Sequence, residues 1–318
     1  MNVQKMMRGR RAHSVRVGMV SAVIAAILAV GLGGSLSASA TEPDRGAGDP
    51  TQDHAGSTLA HDDSMLARDG SSQELRQRPR PIPPLDYVPG DDVSGWQTDV
   101  NWSDAASKGA RFVYIKATED DDYVSPQYET QWKGAQDAGL YRGSYHFARP
   151  FESSGHVQAE HFMNTIHNWK PTQRILPPMI DLEHRCSDLK KRWAVRKCEK
   201  ITPKVMVQWI QDFVSTVERR TGGVKPVIYT TLAWWIEYTG NTTKFSSYPL
   251  FIANWRWDVS TGPGALPGGW TGTGWTLWQH GDDTTRYTYL KDLLPGDQDF
   301  FHGNMQALER FSNLPPLT

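Results

Sequence analysis

The sequence predicts an α/β fold, an irregular TIM-like β/α barrel with few helices in its second half. Two observations carry that prediction. From Tyr87 onward, short β-branched and aromatic runs alternate with helical patterns in four successive units, and strands separated by helices build parallel sheets that close into barrels. After Leu250 the helical patterns fade, and strand signals follow one another through Gly/Pro-rich loops until one last helix near NMQALERF.

The elements follow in order. Residues 111–118 (RFVYIKAT) have strand composition, 126–140 (PQYETQWKGAQDAGL) read as a helix ending at Gly139, and 141–147 (YRGSYHF) return to strand. The next units are a helix over 155–169, a strand over 178–183 (PMIDLE), a helix over 202–223 and a strand over 225–231 (KPVIYTT). In the third helix Thr202 suits the N-cap and Pro203 the first helical position, with Val205, Trp209, Phe213 and Val217 recurring at every fourth residue. Residues 249–255 (PLFIANW) and 274–280 (GWTLWQH) are the late strands.

Upstream of the barrel the composition changes twice. Residues 1–16 hold Lys5, Arg8, Arg10, Arg11 and Arg16 and no acid; 17–32 are almost wholly apolar, and SASA ends at Ala40. This is the order of a secretory signal, expected to be cleaved after Ala40 and to leave no stable membrane anchor. Residues 41–86 are rich in Asp, Gly, Ser, Arg and Pro and cannot bury enough apolar surface to offset their ordering entropy, which predicts a disordered linker. The folded domain is therefore expected over 87–318. The whole chain carries −1 and its first 40 residues +5, so the mature chain carries about −6, which argues against nucleic acid as a partner.

The stretch MIDLEHRC (179–186) sets Asp181 and Glu183 two residues apart in an apolar run. Side chains at i and i+2 of a strand share a face, and at the C-terminal end of a barrel strand that face opens into the mouth where active sites lie. Adjacent carboxylates cannot both ionise easily, and glycoside hydrolysis uses such pairs. Asp92 at the start of the first strand and Asp297 near the last are placed to join them. The 13 tryptophans, among them Trp96, Trp234, Trp235, Trp255, Trp257, Trp275 and Trp278, offer faces for sugar rings, although core packing is expected for about half of these. No phosphate-binding loop, dinucleotide fingerprint or nucleophile elbow is present, and the histidine spacing gives no metal site. In an exported chain Cys186 and Cys198 are expected to be bridged, worth about 3 kcal/mol by loop entropy. The loop between them holds Lys190, Lys191, Arg192, Arg196 and Lys197, either a grip for an anionic polymer or a solvated basic loop.

Nine ordered motifs carry a more specific resemblance: GDDVSGWQTDVNW, FVYIKATED, GLYRGSYHFARP, PPMIDLE, PVIYTT, the WW and YTGN pair, PLFIANW, WTLWQH and DQDFFHG. Together they resemble glycoside hydrolase family 25, the Chalaropsis-type lysozymes, over roughly residues 88–311. The resemblance implies an irregular β/α barrel and an N-acetylmuramidase that cuts the β-1,4 bond from N-acetylmuramic acid to N-acetylglucosamine in bacterial peptidoglycan glycan strands; with the signal, a secreted, bacteriolytic enzyme is expected, a monomer with no cofactor. It implies Glu183 as general acid, Asp181 as the carboxylate beside it, and Asp92 and Asp297 as further cleft acids. Lys116, Glu119, Tyr145, Tyr229 and Trp278 fall on positions that contact substrate or support the site. Two routes are compatible with it: attack by the substrate's own 2-acetamido group, steadied by Asp181, or inversion by a water that Asp92 or Asp297 activates. A catalytically silent glycan-binding protein on the same barrel is the alternative, disfavoured by retention of all four acids. Three departures from the family pattern stand out: Asp91 in place of an apolar residue, expected to perturb Asp92; Asp120 in place of the Gly of ATEG; and Ser125 in Y-x-D-P. Many relatives pair the cysteine at the Cys198 position with one where this chain has Tyr238, so the resemblance makes Cys186 the replacement partner.

Overall fold

The computed structural model describes residues 87–313 apart from 167–168, 171–173, 190–194, 196–197, 257 and 283–295. The expected signal, the linker, Trp257 and the five cations of the basic loop lie outside the described residues. In chain order the elements are β1 (Tyr87–Val93), α1 (Trp102–Ser107), β2 (Phe112–Glu119), β3 (Tyr123–Val124), α2 (Tyr128–Asp137), β4 (Tyr141–Phe147), α3 (Gly155–Thr165) and β5 (Met179–Leu182). They continue as α4 (Pro203–Thr221), β6 (Val227–Thr231), α5 (Leu232–Thr239), β7 (Leu250–Ala253), β8 (Leu277–Asp282), β9 (Asp297–His302) and α6 (Met305–Ser312).

Eight strands close a barrel in the order β1-β9-β8-β7-β6-β5-β4-β2, with β2 pairing back onto β1 and the short β3 attached to β2. The barrel pairings among β1, β2, β4, β5, β6, β7 and β8 are parallel, as the strand–helix alternation predicts; the attached β3 is antiparallel to β2. The last strand differs: β9 runs antiparallel to both β8 and β1. Its first residue, Asp297, therefore stands at the same end of the barrel as the last residues of the parallel strands.

Period-two alternation divides each strand between two cores. Val88, Phe112, Tyr114, Met179, Val227, Phe251, Leu277 and Phe301 fill the barrel interior. Val113, Ile115, Ile180, Ile228, Ile252, Trp278 and Phe300 face outward and join the helices' apolar sides. The longest helix, α4, starts as its sequence predicts: Thr202 caps it by accepting from the Val205 N–H, and Pro203 follows. Its buried stripe is Met206, Trp209, Ile210, Phe213, Val214 and Val217, whereas Val205 is 50% exposed in the first turn. Among the described residues no helix is long and apolar enough to cross a membrane.

Helices α3 and α4 meet where a side chain has no room. A Cβ on Gly155 would lie 2.2 Å from the backbone oxygen of Trp209, and backbone cannot swing aside as a side-chain tip can. Gly155→Ala is expected to destabilise the protein by about 2 kcal/mol, read as a lower urea midpoint with an unchanged slope.

Candidate active site

The carboxylates predicted from sequence stand at one barrel mouth, with Asp92 near the end of β1 and not at the strand's start as expected, because β1 begins five residues earlier at Tyr87. Asp92 and Asp297 are direct cross-strand partners in the β1–β9 pair. Asp181 pairs with Tyr229 on β6 and with Phe147 on β4. Glu183 follows the end of β5, one residue beyond Leu182. Asp181, Glu183 and Asp297 are buried, and Asp92 is half-buried. Tyr229, on the inner face of β6, reports their convergence. Burial raises its phenol well above the ordinary value, and the charges of Glu183, Asp181, Asp92 and Asp297 raise it further.

Gln279 of β8, which sequence reasoning passed over, ties two of these acids together. Its amide N–H groups donate to Asp92 Oδ2 and to Asp297 Oδ2, both at 2.9 Å. Its carbonyl accepts from the Tyr229 hydroxyl and the Trp255 indole N–H, both at 3.0 Å. Burial lifts the Asp92 carboxyl to about 7, while the Gln279 hydrogen bond pulls it down. Asp91, the preceding residue on the strand, points to the other face, and its charge helps raise Asp299, which burial already holds well above the carboxylate range.

Behind Glu183 lies a second charged group. Lys116 Nζ donates to Glu119 Oε2 at 2.8 Å, and Arg149 Nε donates to Glu119 Oε1 at 2.7 Å. Burial opposes the Glu119 charge, but Lys116 and Arg149 overcome it and hold the carboxyl at about 2. Lys116 also sits 4.7 Å from the Phe147 ring centroid, with only 2% of its side chain exposed. Lys116 and Glu119 thus form a buried ion group with Arg149. Arg149 Nη1 reaches His184 Nε2 at 2.7 Å; burial and then the Arg149 charge depress His184 to about 3, so its neutral ring accepts there.

The chain around Glu183 is anchored on both sides. Thr230 Oγ1 donates to the Leu182 carbonyl, the Trp234 indole donates to the His184 carbonyl, and the Cys186 N–H donates to the Tyr238 hydroxyl. Cys186 is disulfide-bonded to Cys198, the pairing that the resemblance implies, and Tyr238 holds the Cys186 N–H by a hydrogen bond. Asp120 is explained by its backbone. With φ +50° it occupies the left-handed region that favours Gly, and its Oδ1 accepts from Ser153 and Gln158.

The tryptophans are less available than their number suggests. Trp234 and Trp235 begin α5 rather than end a strand, and both are fully buried. Trp278 is a correction: on the outward face of β8, fully buried, with its indole donating to the Asn254 carbonyl, it has no surface to offer a sugar. Tyr145 keeps an inward place on β4, beside Lys116 in the β2–β4 register. Among the described residues no three or more His, Cys, Asp or Glu side chains are so arranged that they could hold a metal ion.

The family model of glycosyl hydrolases family 25 matches residues 91–287. An N,O-diacetylmuramidase from Chalaropsis sp is 37% identical over 229 residues, 71% of this chain and 99% of the relative. Lysozyme M1 from Streptomyces globisporus is also 37% identical, over 63% of this chain and 65% of its own length. The solved structure of a muramidase from Trichobolus zukalii is similar with a TM-score of 0.61 at 38% identity, covering 71% of this chain and 99% of that one. The closed barrel, the acids at its mouth and these matches agree that the chain belongs to glycosyl hydrolases family 25 and is a glycoside hydrolase.

Proposed function

We propose that this chain is a secreted N-acetylmuramidase that hydrolyses the β-1,4 bond between N-acetylmuramic acid and N-acetylglucosamine in bacterial peptidoglycan. One observation carries the reading: Asp92 of β1 and Asp297 of β9 share the Gln279 amide at the barrel mouth, and Asp181 of β5 and Glu183 just after it are near enough for their charges, with those two, to raise the Tyr229 phenol. The lysozyme and muramidase names of the relatives support the substrate class. In this mechanism Glu183 gives its proton to the glycosidic oxygen as the C–O bond breaks. The muramic acid acetamido oxygen bonds to the anomeric carbon, and Asp181 orients that amide and balances its positive charge. Water then opens the ring intermediate, with the Glu183 carboxylate taking the proton, and the product keeps the β configuration. The signal read over residues 1–40 supports an activity outside the cell, at the wall; the protein acts in this reading as a monomer without a cofactor.

Purified peptidoglycan treated with the protein and then with borohydride is expected to yield muramitol at the new chain ends, with the β-anomer appearing first by proton NMR. Glucosaminitol at those ends would overturn the bond assignment. An initial α-anomer would overturn the assisted route in favour of a water activated by Asp92 or Asp297.

A further inference from the structure

Gln279 touches four polar side chains at the mouth, and each of its hydrogen-bonding positions is used. A primary amide has two N–H donors and two carbonyl lone pairs; here the donors serve Asp92 and Asp297, and the carbonyl serves Tyr229 and Trp255. Trp255 decides which way round the amide sits. An indole N–H can only donate, so the atom 3.0 Å from it must be the carbonyl oxygen, and the NH₂ group is thereby turned onto the carboxylates. Both carboxylate oxygens lie 2.9 Å from one nitrogen, which keeps them within about 6 Å of each other. Gln279 is 2% exposed and Trp255 4%, so water does not compete freely for these positions.

We propose that Gln279, oriented by Trp255 and Tyr229, is the positioning residue that holds Asp92 and Asp297 as a single working pair. This rests on reading the mouth as the muramidase active site. Without the amide, two carboxylates facing each other across one register pair would repel, and each would turn toward whatever water or donor it could find. The groups around Asp92 offer little relief. They are Asp297 and Asp299 from β9, Asp91 on its own strand, Tyr114 and Lys116 from β2, Asp181 and Glu183 from the β5 end, and Tyr229 from β6. Only Lys116 among them is a cation, and it is engaged with Glu119. The amide stabilises the charged form of Asp92 against its burial, so losing it moves the Asp92 titration upward.

The test reads Asp92 directly and needs no substrate. Its carboxyl carbon is followed by carbon-13 NMR across pH, assigned with Asp92→Asn, in the wild type, Gln279→Met and Trp255→Phe. In Gln279→Met the Asp92 midpoint is expected to rise by about one pH unit or more. Trp255→Phe, which leaves Gln279 in place but free to turn its amide over, is expected to give a smaller rise and decides the matter if Gln279→Met fails to fold. On soluble peptidoglycan fragments kcat is expected to fall about 100-fold in Gln279→Met with KM changed less than about threefold. An Asp92 titration identical to the wild type's in the folded variants would overturn the proposal. The muramidase reading fails on a different result, absence of reducing-end release by the wild type, which leaves the titration informative.

Discussion

Glu183→Gln is expected to fold normally and to lose about 10³-fold in peptidoglycan hydrolysis, because an amide of the same shape cannot give up a proton to the leaving oxygen. The size of the loss follows from the route proposed for this site. The acetamido attack needs no protein nucleophile, so the one proton transfer that the protein performs in bond breaking is the one from residue 183, and the same carboxylate activates water in the second step. Retention of the fold follows from how the segment is built. The backbone on either side is held by Thr230, Trp234 and Tyr238 and by the Cys186–Cys198 bridge, none of which involves the Glu183 side chain. Release of reducing ends from purified peptidoglycan, with thermal unfolding of both proteins alongside, checks the two halves of the expectation. Equal release by the two proteins would remove Glu183 from the role of acid.

Much of this site is readable from local pattern, and what is not readable depends on contacts between distant strands. The period of two in YRGSYHF marks β4 to the residue, Tyr141–Phe147, because alternation is a property of the segment itself. Thr202 and Pro203 likewise mark the start of α4. The direction of β9 has no local signature: DQDFFH alternates equally well whichever way the strand runs, and only its pairing with β1 and β8 settles it. That direction is what brings Asp297 opposite Asp92. Gln279 is invisible for the same reason, an ordinary amide in WTLWQH whose four partners come from four other strands or loops. Trp278 was within reach of pattern alone. If Gln279 faces inward, period two turns Trp278 outward, and the barrel wall rather than the cleft receives it.

The buried ion group behind the site is expected to control stability as strongly as Glu183 controls activity. Glu119→Gln removes the carboxylate that Lys116 and Arg149 share, in a place where their side chains are 2% and 12% exposed and the Phe147 ring lies against both. Leaving buried cations beside a neutral amide costs about 3–5 kcal/mol. The titration of Glu119 gives a similar figure by a separate path: lowering its carboxyl from 4.5 to about 2 corresponds to roughly 3 kcal/mol of folding stability. Because the folded value is the depressed one, that stability is fully present above about pH 4.5 and is lost as pH falls toward 2. The two proteins share every other carboxylate, so their difference isolates this one. Urea unfolding is therefore expected to separate wild type and Glu119→Gln by about 3 kcal/mol at pH 7, with the gap narrowing below pH 4.5 and nearly closing by pH 2. A gap that stayed constant with pH would show that Glu119 contributes shape rather than charge. The same substitution frees Arg149 from its carboxylate and so loosens its hold on His184, the neighbour of Glu183; hydrolysis at pH 7 should accordingly fall in the folded variant, although Glu119 lies behind the acid and not on the substrate.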